Sequence, residues 1–300
     1  MAERTLVVTE LTKSYGERLA LDGLSVSLED GAACALVGPN GAGKTTLISI
    51  LLGLIAGDSG RATIFGDEAG SIAARKHIGY LPDVPSFPGW MRADEVLHLS
   101  RRLSGGDDVV DPLLEAVGLA GNRRPVRMFS RGMKQRLGLA QALVSSPRLL
   151  ILDEPTSALD PAGQRLFHDL VRSLRGRATV LYSTHSLGEA EQVCDSAIIV
   201  SAGRLVRQSS MDNLIREGQG LFLDVSGPVD RLVDLLGRVP WVSALDRSGA
   251  TRQTLSLRVA DLETAQRELP GLIASSGVVL HSLNPRGLAD IFLDLTGGSR

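Results

Sequence analysis

Nowhere in this 300-residue chain do apolar residues run on for the roughly 18 positions that a membrane-spanning helix needs. The opening stretch, MAERTLVVTE, lacks a basic segment followed by an apolar one, so no secretory signal is expected. Cysteine is scarce: Cys34 and Cys194 stand alone in apolar surroundings without metal-ligand spacing. That pattern points to two buried thiols in a reducing compartment, and away from a disulfide framework. An excess of charge of either sign is also missing. The net charge of −2 gives no sign of a nucleic-acid binder. Tandem repeats and low-complexity tracts are absent too. The chain therefore reads as cytosolic, and any link to a membrane must come through a partner.

What is present suits a sizeable folded protein. Hydrophobic residues make up 43%, ample for a buried core, and the length allows one large or two smaller domains. Strand-like and helix-like segments alternate in the first part, which favours an α/β domain. Leu6–Leu11 and Leu24–Leu28 read as strands with turn residues between them. Ala32–Val37 is a short apolar run that ends at Gly38, and a helix starts near Gly43 and continues through Leu52. The pattern is helical around Met91–Leu119 and broken by Pro125. A helix over 131–145 leads into the apolar strand Leu149–Leu152, with further strands at Thr179–Ser183 and Ala197–Val200. Gly218-Gln219-Gly220 reads as a linker. Beyond it the order is strand Leu221–Val225, helix 228–237, strands Val242–Asp246 and Thr254–Val259, helix 261–269 and strand Val278–Leu283. This βαββαβ order suits a ferredoxin-like sandwich. An amphipathic segment, Leu288–Leu295, closes the chain. The expected domains are 1–217 and 221–300.

The strongest local signal is Gly38-Pro39-Asn40-Gly41-Ala42-Gly43-Lys44-Thr45, a match to G-x-x-x-x-G-K-[ST] between a strand and a helix. Glycines let the backbone curl so that successive N–H groups face phosphate oxygens, and the helix N-terminus adds its positive end. Lys44 would reach the β- and γ-phosphates, the Thr45 hydroxyl would ligate Mg²⁺, and Thr46 joins the nucleotide-binding set. ATP or GTP binding follows. A second signal is Leu149-Leu150-Ile151-Leu152-Asp153-Glu154, an apolar strand ending in two carboxylates. The strand beside the phosphate loop would deliver Asp153 to Mg²⁺, and Glu154 would orient an attacking water.

The run LLILDEPTSALDP resembles the Walker B motif and D-loop of ABC ATPases, with Ser157-Ala158-Leu159-Asp160 as the D-loop. The resemblance implies that Asp160 belongs to the nucleotide site and that His185, in Ser183-Thr184-His185, contacts the γ-phosphate. Two stretches compete for the family's signature motif. Leu103-Ser104-Gly105-Gly106-Asp107 is closer in spelling to LSGGQ, but Phe129-Ser130-Arg131-Gly132-Met133 precedes a helix that runs to the Walker B strand. Ser130–Met133 is taken as the signature, and Leu103–Asp107 as a decoy at a helix-connecting turn. Chemically, Ser130 is a hydroxyl at a helix N-terminus and Gly132 permits close backbone approach. In the family that helix end binds the γ-phosphate held by a second subunit, which implies a head-to-tail dimer. Leu11-Thr12-Lys13-Ser14-Tyr15-Gly16 resembles the A-loop, which implies that Tyr15 stacks on adenine.

Two positions depart from the common pattern. Arg131 replaces a glycine, and Asp83, after His77-Ile78-Gly79-Tyr80-Leu81-Pro82, stands where the family usually has glutamine. Asp83 could still offer an oxygen to Mg²⁺. The resemblance extends over about residues 5–217 in the family's motif order. It implies an α/β P-loop ABC ATPase domain, a mixed sheet core with a helical subdomain, followed by a small α+β domain. Ala289–Gly297 is similar to the closing segment of ATPases from the drug, antibiotic and polysaccharide exporter group. The implied function is ATP hydrolysis at the cytoplasmic face of a membrane, energising separate transmembrane permease subunits. Trp90 and Phe87, aromatics in a proline-rich loop, are candidate contacts, with core packing as the alternative reading. A soluble ABC ATPase of repair, translation or cluster assembly is the competing reading. Such chains usually carry a coiled-coil insertion, zinc cysteines or a second nucleotide domain, and none is visible.

Overall fold

A computed structural model describes residues 4–105, 110–249, 253–287 and 290–292. It divides into two compact units between Met211 and Asp212. In the first unit β1 (Arg4–Tyr15), β2 (Arg18–Glu29) and β3 (Ala33–Val37) precede the glycine-rich loop and α1 (Lys44–Leu51). Next come β4 (Ser59–Ile64), β5 (Asp67–Glu68), α2 (Ile72–Arg75) and β6 (Ile78–Leu81). A helical stretch follows, made of α3 (Ala93–Ser104), α4 (Val110–Ala116) and α5 (Arg131–Leu143). The unit ends with β7 (Leu149–Asp153), α6 (Pro161–Ser173), β8 (Thr179–Thr184), α7 (Leu187–Glu191), β9 (Ser196–Ser201) and β10 (Arg204–Ser210).

Two sheets share the core of this unit. One is antiparallel in the order β2-β1-β4-β5, and the other runs β10-β9-β3-β8-β7-β6. Every pairing from β9 to β6 is parallel, and β10 alone joins antiparallel. The interior strands β3, β7 and β8 are buried along their whole length; β3 and Leu149–Leu152 of β7 are apolar runs, whereas β8 also buries Thr179, Ser183 and Thr184. Leu47, Ile48 and Leu51 of α1 are buried in one cluster with Leu6 and Leu24 of the first sheet and Leu36 and Ile151 of the second. A separate core, with Val96, Leu97, Leu114 and Leu137, holds α3, α4 and α5 together.

In this unit two sequence expectations need correction. β7 is not the neighbour of β3, because β8 lies between them. The first hairpin is longer than its apolar stretches suggest: β1 runs to Tyr15 and β2 begins at Arg18, which faces Tyr15 across a tight turn. Strands β4, β5 and β10 carry too little periodic hydrophobicity to be read from sequence, and β10 is exposed almost throughout. Backbone pairing with a neighbouring strand defines them, and of the three only β4 buries side chains, Ala62 and Ile64.

In the second unit, α8 (Met211–Gly218) straddles the boundary and β11 (Gly220–Ser226) starts two residues after it ends. Gly218-Gln219-Gly220 is therefore a helix end and a strand start, not a linker. Then follow α9 (Val229–Leu236), β12 (Val242–Ser248), β13 (Gln253–Val259), α10 (Leu262–Ser276) and β14 (Val279–Pro285). The sheet is antiparallel in the order β12-β13-β11-β14, the ferredoxin-like arrangement of a βαββαβ chain. Leu223 and Val225 alternate inward with Leu255 and Leu257, and meet Leu232, Leu236 and Leu269 from the two helices.

Helix α10 continues through Pro270, where the sequence reading ended it. Proline inside a helix costs on the order of 3 kcal/mol. Leu269 and Ile273, buried on either side of it, and the Asp261 cap, which accepts from the Thr264 N–H, offset that cost. Of the closing segment 288–295, residues 290–292 are described, with Ile291 buried. The rest of Ala289–Gly297 lies outside the described residues.

Because Ile151 is fully buried in β7, an interior strand of the larger sheet, Ile151→Ala should cost about 2–5 kcal/mol of stability. A denaturant titration would show this as a lower midpoint with an unchanged slope.

Candidate functional site

Parallel pairing aligns the ends of four strands. Val37 of β3 stands opposite Thr184 of β8, Asp153 of β7 opposite Ser183, and Leu81 of β6 opposite Leu152. The residues that leave this edge are Gly38, His185, Glu154 and Asp83, two residues beyond Leu81. Chemically active groups far apart in sequence are thereby gathered along one line, at the carboxyl ends where open α/β sheets bind ligands.

Over that line lies a cleft of about 520 Å³, lined by residues 39–46, Asp83, Asp153, Glu154, Tyr15 and Arg18. The phosphate loop is held in a shape that permits no side chain at two points. A Cβ on Gly38 would come within 2.5 Å of the Val200 carbonyl oxygen. At Gly43, with φ +104°, it would come within 2.5 Å of the Ala20 carbonyl oxygen. No side chain caps the α1 N-terminus, so its first N–H groups remain available to an anion. Lys44 is buried and donates to the Gly38 carbonyl oxygen at 2.6 Å, with Glu154 Oε1 3.5 Å away. This donor-rich loop, closed by one lysine, fits the phosphates of a nucleotide. The half-exposed Tyr15 ring at the cleft rim suits a stacked base.

The carboxylates differ in their surroundings. Asp153 is buried, which pushes its carboxyl up, and the negative charges of Glu154 and Asp83 add to that. A cation beside Asp153 would relieve that cost. Thr45 in the same cleft supplies a hydroxyl, and Mg²⁺ bound to phosphates needs only one or two protein ligands. Glu154 takes a left-handed backbone, φ +44°, uncommon outside glycine, and its N–H donates to the Ser183 carbonyl oxygen at 3.1 Å. Its Oε2 lies 2.9 Å from His185 Nδ1, joining the ends of β7 and β8.

Ser130, Gly132, Asp160 and His185 are not among the residues that line this chain's cleft, and His185 reaches it only through Glu154. Ser130 caps α5, accepting from the Met133 N–H at 3.1 Å, and is exposed. A Cβ on Gly132 would lie 3.1 Å from the Ala158 carbonyl oxygen, so the D-loop runs close against it. Asp160 caps α6, accepting from the Gly163 N–H at 2.8 Å. The competing stretch has the opposite polarity. Leu103 and Ser104 end α3 and Gly105 is its left-handed C-cap, so Ser104 sits at the end of a helix dipole that repels anions. Gly106 and Asp107 lie outside the described residues.

The two departures from the family pattern touch each other. Arg131 Nη2 lies 3.4 Å from Asp83 Oδ1, which also accepts from the Ser157 hydroxyl at 2.8 Å. Sequence reasoning missed Ser157 in this role. It also missed Arg18, which lines the cleft and donates to the Gly41 carbonyl oxygen at 3.3 Å. Only the register of the first hairpin, which sets Arg18 opposite Tyr15, could have revealed that position.

A family model described as ABC transporter matches residues 21–157, which span the phosphate loop and the carboxylate pair. The Nod factor export ATP-binding protein I of Rhizobium sp. (strain N33) is 35% identical over 99% of this chain and 98% of its own. The chain belongs to the ABC transporter ATP-binding family. It is 36% identical to the daunorubicin resistance ATP-binding protein DrrA3 of Streptomyces coeruleorubidus, over 100% of this chain and 98% of that one. Among solved structures, the ATP binding subunit of an ABC transporter matches with a TM-score of 0.65 and 30% identity, covering 71% of this chain and 92% of that chain. The protein is an ATPase.

The opposed helix polarities separate the two serines experimentally. Ser130→Ala should lower steady-state ATPase activity while Ser104→Ala leaves it unchanged, and the reverse ranking would exchange motif and decoy.

Proposed function

We propose that this ATPase energises export across a membrane, working as a head-to-tail dimer bound to separate transmembrane permease subunits. The observation that carries the reading is the contact between Glu154, which lines the cleft, and the exposed His185, with the Ser130 cap outside the cleft lining. Among the described residues, none at the α5 N-terminus lines this chain's own cleft. A second copy, turned head to tail, would bring Ser130 and the α5 N-terminus there. Export is the activity named in full-length relatives for Nod factor, and resistance is named for daunorubicin, which favours this reading over a soluble repair or translation role. Among the described residues no helix is long and apolar enough to cross a membrane, so the permease would be supplied by other chains.

Within each site, Lys44 and the loop N–H groups hold the phosphates, and Tyr15 receives the base. Thr45 and Asp153, with Asp83 at the cleft edge, would hold Mg²⁺, whose chemistry is to neutralise charge developing on the β- and γ-phosphates. Glu154 orients the attacking water and accepts its proton. His185 keeps one ring nitrogen on Glu154 and offers the other to a phosphate oxygen. ATP would close the dimer and pull the permease into a second state, and hydrolysis would reset it. Trp90 is exposed in its proline-rich loop and is proposed as a permease contact, whereas Phe87 packs into the helical core.

Two measurements test this function. Glu154→Gln should bind ATP, turn over at least about a hundredfold more slowly and double its mass by light scattering. ATP binding with the chain still monomeric would contradict the dimer. Co-expression with a cognate multispanning membrane protein should give a stable complex with stimulated ATPase activity.

A further inference from the structure

One carboxylate among the polar groups behind the cleft has no part in the chemistry above. Glu189, on α7, faces three hydroxyls drawn from two catalytic segments. Its Oε1 accepts from Tyr182 Oη at 3.0 Å and from Thr156 Oγ1. Its Oε2 accepts from Thr184 Oγ1 at 2.6 Å. All three donors are buried: Tyr182 and Thr184 at 0% exposure and Thr156 at 4%. An ionised carboxylate is acceptor-only and can take all of them, with bonds stronger than those between neutral groups.

Those three hydroxyls stand at particular places in the chain. Thr156 is two residues beyond Glu154, in the turn that follows its left-handed backbone, and that turn closes with the Ser157 N–H donating to the Glu154 carbonyl oxygen at 3.3 Å. Thr184 immediately precedes His185, and its hydroxyl also accepts from the Ser186 N–H at 3.1 Å, so the bonds on Thr184 bracket His185 on both sides. Ser186 in turn accepts from the Glu189 N–H at 3.3 Å, closing the loop on itself. One side chain therefore ties the segment after Glu154 to the segment around His185. The two catalytic side chains meet 2.9 Å apart at the far end of that tie.

We infer that Glu189 is a positioning residue: its carboxylate holds Glu154 and His185 as one rigid pair, and so sets the rate of hydrolysis without touching nucleotide. A strained backbone such as that of Glu154 persists only where its surroundings over-determine it, and Glu189 with Thr156 supplies that constraint. This inference rests on the catalytic roles proposed for Glu154 and His185.

The test is a set of steady-state and binding measurements on the full chain with ATP. Glu189→Ala should lower kcat at least about tenfold while leaving the ATP dissociation constant within about twofold. Glu189→Gln should fall between, since its amide oxygen still accepts from Tyr182 and Thr156 while its NH₂ meets Thr184. In a cycle with His185→Ala, the combined loss should be well below the product of the single losses, because both changes disable one unit. Thr184→Val removes a single hydroxyl, and it decides the matter if a thermal melt shows Glu189→Ala unfolded. An unchanged kcat in Glu189→Ala or Thr184→Val, a loss confined to ATP affinity, or multiplicative losses in the double variant would overturn the inference. Glu154→Gln measured alongside separates the two levels. Normal turnover there would remove the catalytic assignment itself, whereas a dead Glu154→Gln beside fully active Glu189 and Thr184 variants would remove only this inference.

Discussion

The in-register pairing of four parallel strands is the constraint on which the site depends. Because Val37 lies beside Thr184, Asp153 beside Ser183 and Leu152 beside Leu81, the next residues of each strand emerge at one level. A slip of one residue in β7 would turn Asp153 to the other face of the sheet and shift Glu154 along its edge. What holds the register is burial: β3, β7 and β8 are closed to solvent on both faces, so any slip exposes or voids a packed position. The core and the chemistry are thus one arrangement, with the apolar run Leu149–Leu152 determining where two carboxylates stand.

Much of this was legible in the sequence, for a physical reason. Phosphate binding needs glycines at defined steps, and Gly38 and Gly43 stand where no Cβ fits, so the loop cannot be built from other residues. The Asp153-Glu154 pair ends a short apolar run, Leu149–Leu152, that suits a buried strand. Ser130 could be told from Ser104 because one precedes a helix and the other ends one. What escaped the sequence depended on pairing between distant segments. Nothing local sets Arg18 opposite Tyr15, inserts β8 between β3 and β7, or brings Thr156 to Glu189. Pro270 misled for a related reason: a helix breaker is tolerated where packing on both sides outweighs it.

The contact between Asp83 and Arg131 changes how the two unusual positions are understood. Taken singly, an acid replaces an amide and a cation replaces a glycine. Together they form an ion pair bridged by Ser157, so each charge has its complement within 3.4 Å. Both groups are about half exposed, so the pair contributes little stability of its own. Its consequence is geometric: the strand end that carries Asp83, the α5 N-terminus and the D-loop are linked in one chain. In the proposed dimer all three would border the nucleotide held between two copies.

The central claim is that each nucleotide is enclosed by the phosphate loop of one copy and the Ser130 cap of another. Site-directed cross-linking tests it most directly, because the two native thiols are buried and free, with that of Cys34 pushed up to about 11, and give little background. Chains carrying Asn40→Cys would be mixed with chains carrying Ser130→Cys, both in a Glu154→Gln background, and treated with a short thiol cross-linker. The account predicts a covalent pair containing one chain of each kind, formed with ATP and lost without it. Absence of that pair with ATP bound, or its formation to the same extent without nucleotide, would contradict the account.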